Sequence, residues 1–281
     1  MRLGQLSLCS ILLATLWAGP LSAQVTPQGQ AVPEGTETLI TCELTQPPRL
    51  SDVPVLNSVS EARKALGTYH YKLWVPPGYS ASATKRWPCI FIQSPGGNAG
   101  MGKMRDCLVS NQFVVVMLVE SKNGDWGPAI GNSLAAHDDV IKRLRIQEGR
   151  KYATGFSGGA RAASMLVQAR SGFCGLILQG AGAAYLDSGP YVVAGLKRSP
   201  GLFVAMAVGK ADSNKSEVDR MKNLLPAHRL AIFDFEGGHD WTPADTFGKA
   251  FDWIKSKVEK SPASQAGSAS GSSFDNFFKK K

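Results

Sequence analysis

The ten residues Lys151-Tyr152-Ala153-Thr154-Gly155-Phe156-Ser157-Gly158-Gly159-Ala160 most constrain what this chain can fold into. Lys151 to Phe156 is a strand-like run, and a segment with helical spacing follows at once, carrying Met165 and Leu166 and reaching about Gln168. Between them stands Gly-x-Ser-x-Gly, with Gly155 and Gly159 two positions either side of Ser157. That spacing lets a serine occupy a sharp strand-to-helix turn with little room beside it. Gly158 removes one more side chain at the bend. A serine that only caps a helix is the plainer alternative, but the strand running directly into Ser157 favours an exposed nucleophile.

The rest of the chain repeats the same alternation. Strand-like runs are expected at Glu37–Leu44, Tyr71–Val75, Cys89–Gln93, Phe113–Val119, Phe173–Leu178, Leu202–Val208 and Leu230–Phe235. Helical patterns lie between them at Ser133–Ile146, Ser213–Leu225 and Pro243–Val258; in the last, Phe247, Phe251 and Ile254 recur at spacings of four and three. Strands alternating with helices predict an α/β fold, a mostly parallel central sheet flanked by helices on both faces.

A serine is a weak nucleophile without a base to take its proton. Among four histidines, His239 has the favoured position, in the short Gly237-Gly238 loop after a strand and before a helix. His70 starts an early strand, His137 belongs to a helix, and His228 precedes the last strand. Asp212, just past the Leu202–Val208 strand, is expected at the same sheet edge and would orient the imidazole. Its alternative role is a helix cap, and Asp187 is the alternative acid. Asp138 and Asp139 read as stabilisers of a helix or loop.

The order Ser157, Asp212, His239 resembles the α/β-hydrolase superfamily, and in particular secreted single-domain esterases of the feruloyl-esterase and polyhydroxybutyrate-depolymerase-like kind. The resemblance runs from about Tyr69 to Lys257. It includes Pro76-Pro77-Gly78-Tyr79, Gly96-Gly97-Asn98, Asp138-Asp139-Val140, the serine turn, Gly209-Lys210-Ala211-Asp212 and Gly237-Gly238-His239-Asp240-Trp241. One departure is Ser94, which stands where many relatives carry histidine. The resemblance implies the α/β-hydrolase fold and hydrolysis of carboxylic esters through an acyl-enzyme. A peptidase with the same triad, another acyl-transfer activity and a noncatalytic binding protein are the alternatives.

Acyl transfer also needs donors for the oxyanion. Gly158 N–H is one candidate, and Gly97 or Asn98 in the glycine-rich loop is expected to supply the second. Trp126 and Trp241 are candidate walls of a substrate pocket, with Glu120 and Asp125 as further cleft residues; the tryptophans would serve equally between sheet and helix. No His, Cys and Asp spacing suggests a catalytic metal, and the mechanism calls for no cofactor. The Gly-rich loop lacks the G-x-x-x-x-G-K-[ST] pattern of a phosphate cradle.

The N-terminus reads as a secretory signal over residues 1–23: Arg2, an apolar stretch from Leu6 to about Leu16, then Leu21-Ser22-Ala23. Cleavage there leaves residues 24–260 as one α/β domain with an N-terminal extension. It is followed by a Ser/Gly/Ala-rich tail, 261–281, that ends in a Phe/Lys cluster and is expected to be flexible. The expected location is periplasmic or extracellular, with no transmembrane anchor after cleavage, and the expected partner is a small-molecule or polymer-borne ester. The formal charge of +9, which loses one unit with Arg2, shows no basic-aromatic pattern of a nucleic-acid track. Cys42, Cys89, Cys107 and Cys174 would remain, permitting two disulfides in three pairings, one, or none.

Overall fold

Strands that bury both faces read as continuous apolar runs, and the central strands of this chain do so. In β3 (Trp87–Gln93), Phe91 points to one side of the sheet while Ile90 and Ile92 point to the other, and all three are fully buried. In β4 (Val114–Leu118), Val114, Val116 and Leu118 join the first side and Val115 and Met117 the second. The computed structural model, which describes residues 32–185, 193–199 and 201–261, assembles these runs into one eight-stranded sheet. The proposed signal, Asp187 and residues 262–281 of the tail lie outside the described residues.

The remaining strands are β1 (Glu37–Leu44), β2 (Gly67–Trp74), β5 (Ile146–Phe156), β6 (Phe173–Gln179), β7 (Phe203–Gly209) and β8 (Leu230–Phe235). Their spatial order is β1-β2-β4-β3-β5-β6-β7-β8. The β1/β2 and β2/β4 pairs are antiparallel, and the five pairs from β4/β3 to β7/β8 are parallel. One face carries the short α1 (Val59–Arg63), α3 (Trp126–Arg143), α4 (Gly158–Ala169) and α5 (Glu217–Leu224), with Ile130, Leu134, Leu166 and Met221 in its core. The other carries α2 (Arg105–Ser110) and α6 (Ala244–Glu259), with Leu108, Phe247, Phe251 and Ile254. Burying each such large side chain of α6 contributes about 1.5–3 kcal/mol. The chain therefore has a mostly parallel sheet covered on both faces by helices.

Strand β2 starts four residues before the expected Tyr71 and helix α5 four after the expected Ser213, and two elements differ more. Helix α3 begins at Trp126 rather than Ser133 and ends at Arg143 rather than Ile146. Its first turns contain Gly127, Pro128 and Gly131, poor helix formers in isolation. Gly127 is accommodated because a Cβ there would lie 2.6 Å from Lys64 Cβ, so the glycine allows close packing of α1 and α3. Asp125 caps the helix, its Oδ1 accepting from Gly127 N–H at 2.9 Å. Strand β5 begins at Ile146 rather than Lys151, because Ile146 pairs with Trp87 before an irregularity, and regular pairing resumes at Cys89 with Lys151.

All four described cysteines are free thiols. Asp138 and Asp139 serve structure: Asp139 accepts from Tyr71 Oη at 2.7 Å and from Arg143 Nε at 2.6 Å, and Asp138 bonds His137 and Arg170.

Candidate active site

The parallel strands end together at one edge of the sheet, where the loops after β5, β7 and β8 meet. Ser157 sits between β5 and α4 with φ 54° and ψ −120°, a left-handed conformation unusual for a residue with a Cβ. Holding a residue there costs on the order of 1–3 kcal/mol. The flanking glycines make the bend possible. A Cβ on Gly159 would lie 2.5 Å from the Gln93 carbonyl oxygen, and one on Gly155 would lie 2.8 Å from the same atom. Ser157 N–H donates to Gln179 O at 2.8 Å, tying the turn to β6.

His239 follows β8 in the Gly237-Gly238 loop, which folds back over the loop after β7: Ala211 N–H donates to Gly237 O at 2.9 Å. A Cβ on Gly209 would lie 2.6 Å from that same carbonyl oxygen, so close approach of the two loops requires a glycine. The result is a continuous polar chain. His239 Nε2 is 2.9 Å from Ser157 Oγ, and His239 Nδ1 is 2.9 Å from Asp212 Oδ1. An ionised carboxylate only accepts, so Nδ1 carries the proton and the Nε2 lone pair faces the serine hydroxyl. The Asp212 side chain is 0% exposed and that of His239 34%. The Phe156 ring lies 4.7 Å from the imidazole and 5.3 Å from the Trp241 ring, an apolar surface beside His239.

Asp212 Oδ1 also accepts from Asn214 N–H at 2.8 Å, so the carboxylate closes a turn as well as facing the imidazole. The other histidines lie elsewhere. His70 Nδ1 contacts Glu120 at 2.7 Å, which also gives Glu120 a structural role. His137 is buried between Lys151 and Asp138, and His228 is exposed in a turn before β8.

The oxyanion donors require a correction. Gly97 N–H donates to Ser94 O at 3.0 Å and Asn98 N–H to Val119 O at 2.7 Å, so both amides expected for the second donor are committed to the fold of their own loop. Gly96 N–H makes only a 3.4 Å contact with Ser94 Oγ. Gly158 N–H opens α4, where the first amides of a helix have no partner within it.

Two hollows lie at this edge of the sheet, and Ser157 lines the first. A cavity of about 190 Å³ is lined by Asn123, Trp126, Ala129, Ser157, Arg161 and Ala162, with Asp125 at its rim. A second hollow of about 400 Å³, next to the histidine loop, is lined by Ser94, Asn98, Met101, Lys103 and Trp241. Trp126 lines the first hollow, with Ser157, and Trp241 the second. Sequence reading did not single out Asn123, whose carboxamide lies so close to Gly158 that a Cβ there would overlap it. No motif announces it, because its loop after β4 reaches the serine only through the sheet order. Among the described residues no three His, Cys, Asp or Glu side chains cluster as metal ligands, and no helix is long and apolar enough to cross a membrane.

The architecture is that of the α/β-hydrolase fold, and solved structures share it. A Staphylococcus aureus fluorophosphonate-binding serine hydrolase superposes with TM-score 0.53 at 12% identity, over 78% of this chain and 99% of its own. Est1E from Butyrivibrio proteoclasticus gives 0.52 at 12% identity, over 69% of this chain and 96% of its own. A ferulic acid esterase gives 0.50 at 15% identity, over 77% and 95% respectively. No protein-family model matches the chain, and no curated protein is similar to it in sequence. The likeness is one of fold.

Proposed function

We propose that this protein is a serine hydrolase that cleaves carboxylic esters through an acyl-enzyme. The hydrogen-bonded run from Ser157 Oγ through His239 to Asp212 carries the reading. In the first step Ser157 Oγ attacks the ester carbonyl as His239 Nε2 takes its proton, and Asp212 stabilises the imidazolium that forms. Gly158 N–H donates to the oxyanion. His239 returns the proton to the leaving alcohol, and water then hydrolyses the acyl-enzyme by the reverse use of the same groups.

The serine esterases and hydrolases among the structural neighbours support this chemistry as analogy, since fold alone does not select a substrate. Activity-based labelling with a fluorophosphonate, followed by identification of the modified residue, tests the reading. Labelling at Ser157, blocked by ester competitors and lost with hydrolysis in Ser157→Ala, is the expected result. Hydrolysis unchanged in Ser157→Ala overturns it, and labelling blocked by peptides but not esters moves the assignment to a peptidase.

The N-terminal pattern supports export as a further part of the proposal. Mature protein beginning near Gln24 in the periplasm or medium is the corresponding observation.

A further inference from the structure

The two hollows differ in what lines them, Ser157 and the start of α4 in one and the residues after His239 in the other, and reaction geometry decides which part of an ester each receives. His239 must hand its proton to the leaving oxygen, so the alcohol departs on the side of the histidine loop. The 400 Å³ hollow is that side, for Asp240, Trp241 and Thr242 all line it. The 190 Å³ cavity contains no residue of the histidine loop and abuts Gly158 and Gly159 instead. It is the acyl side. Its volume, about six waters' worth, suits a short acyl chain.

Charge is distributed unevenly around that cavity. Arg161 is ion-paired with Glu217, which also accepts from Gly182 N–H and Tyr185 Oη. Asp125 is committed to the α3 cap, with Lys64 4.0 Å away. Lys122 also lines the cavity and has no ion-pair partner among the described residues. The N-terminal end of α4, with its outward-facing amides, adds positive potential. Of the two cationic side chains that line it, Arg161 has an acidic partner and Lys122 does not, while Trp126, Ala129 and Ala162 supply an apolar wall.

We propose that the acyl group of the substrate carries a carboxylate at its far end, as in the half-ester of a short dicarboxylic acid, and that Lys122 selects it. The inference rests on the ester-hydrolase reading and narrows it to a substrate class. The backbone around Lys122 is positioned for this role. Gly96 and Lys122 form an isolated bridge, Asn123 N–H donates to Pro95 O at 2.8 Å, and Ser121 Oγ donates to Gln93 Oε1 at 2.8 Å. These bonds fix the loop that carries Lys122 against β3.

The test compares monoethyl glutarate with ethyl pentanoate, esters of similar acyl length that differ in the terminal charge. Expected is a kcat/KM ratio favouring the half-ester by about tenfold in low salt, carried mainly by KM, and shrinking as ionic strength rises toward about 0.5 M because the lysine is exposed. Lys122→Glu should reduce that ratio at least about tenfold and Lys122→Arg should retain most of it. Turnover of both esters with no preference, or a ratio that Lys122→Glu does not move, overturns the charge assignment and leaves the hydrolase reading standing. Turnover of neither ester, together with no fluorophosphonate labelling of Ser157, overturns both.

Discussion

Gln179 accepts the backbone N–H of Ser157 at 2.8 Å on its main-chain oxygen, and the same residue's Oε1 accepts Thr242 N–H at 3.3 Å, three residues past His239. Its Nε2 donates to Thr154 Oγ1 at 2.9 Å. One fully buried glutamine at the end of β6 therefore ties the serine turn to the histidine loop.

Gln179 acts as a positioning residue. Gln179→Met keeps the bulk but strands the buried Thr242 amide, which costs about 1–3 kcal/mol of stability. Loosening the histidine loop should lower kcat about tenfold with little change in KM. Steady-state kinetics separates the two parameters, and a KM effect alone would contradict the positioning role.

Asp212→Asn should lower kcat by roughly ten-thousandfold while the protein stays folded, because a carboxamide no longer holds the imidazole with its Nε2 lone pair toward Ser157. Circular dichroism confirms the fold, and the rate of fluorophosphonate labelling reads the loss at Ser157 directly.

Glycines around the turn should separate by what they touch. Gly159→Ala pushes a Cβ against the Gln93 backbone oxygen, which cannot swing away, so urea unfolding should show about 1–3 kcal/mol of destabilisation. Gly158→Ala meets only the end of the Asn123 side chain. Its stability should stay within about 1 kcal/mol while the acyl cavity narrows and KM rises for the bulkier acyl esters.

Acid stability should depend on a polar run remote from the serine that is buried at Lys151 and His137 and reaches the surface at Asp138. Lys151 Nζ lies 3.0 Å from His137 Nε2, His137 Nδ1 lies 2.9 Å from Asp138 Oδ1, and Arg170 Nε and Nη2 donate to Asp138 at 2.7 and 2.6 Å. Burial, with smaller opposing and reinforcing contributions from Asp138, Lys151 and Arg170, holds the His137 pKa below its ordinary value of 6.5. Burial raises the Asp138 pKa, but bonds from Arg170 and His137 outweigh it and bring the carboxyl down to about 2.

A depressed histidine pKa means that the unfolded chain binds the extra proton first. Stability is therefore lost as pH falls below about 6.5. The depressed Asp138 pKa adds stability present above its ordinary value of 3.8 and lost as pH falls toward 2. Urea midpoints measured from pH 8 to 4 should fall, and His137→Gln should flatten the upper part of that decline. An unchanged slope in the variant would rule out His137 as its source.

The alternation of strands and helices, the glycine-flanked serine and the candidate residues of the Ser157, Asp212 and His239 chain were legible in the sequence. Each is written in local spacing: an apolar run marks a strand, glycines two residues either side of a serine mark a bend, and loops after parallel strands fall at one sheet edge. The start of α3 was not legible, because Gly127 and Pro128 read locally as a turn and are helical through the Asp125 cap and the packing on Lys64. The loop after β3 showed its glycines but not the direction of its amides. Tertiary hydrogen bonds to Val119 and within the loop decided that Gly97 and Asn98 face inward to the fold. The placement of Asn123 and Lys122 beside Gly158 depended on β3 lying between β4 and β5, an order set by long-range pairing and burial of both sheet faces. Local residue patterns thus determined which chemical groups sit at strand ends, while packing across the sheet decided which of them meet.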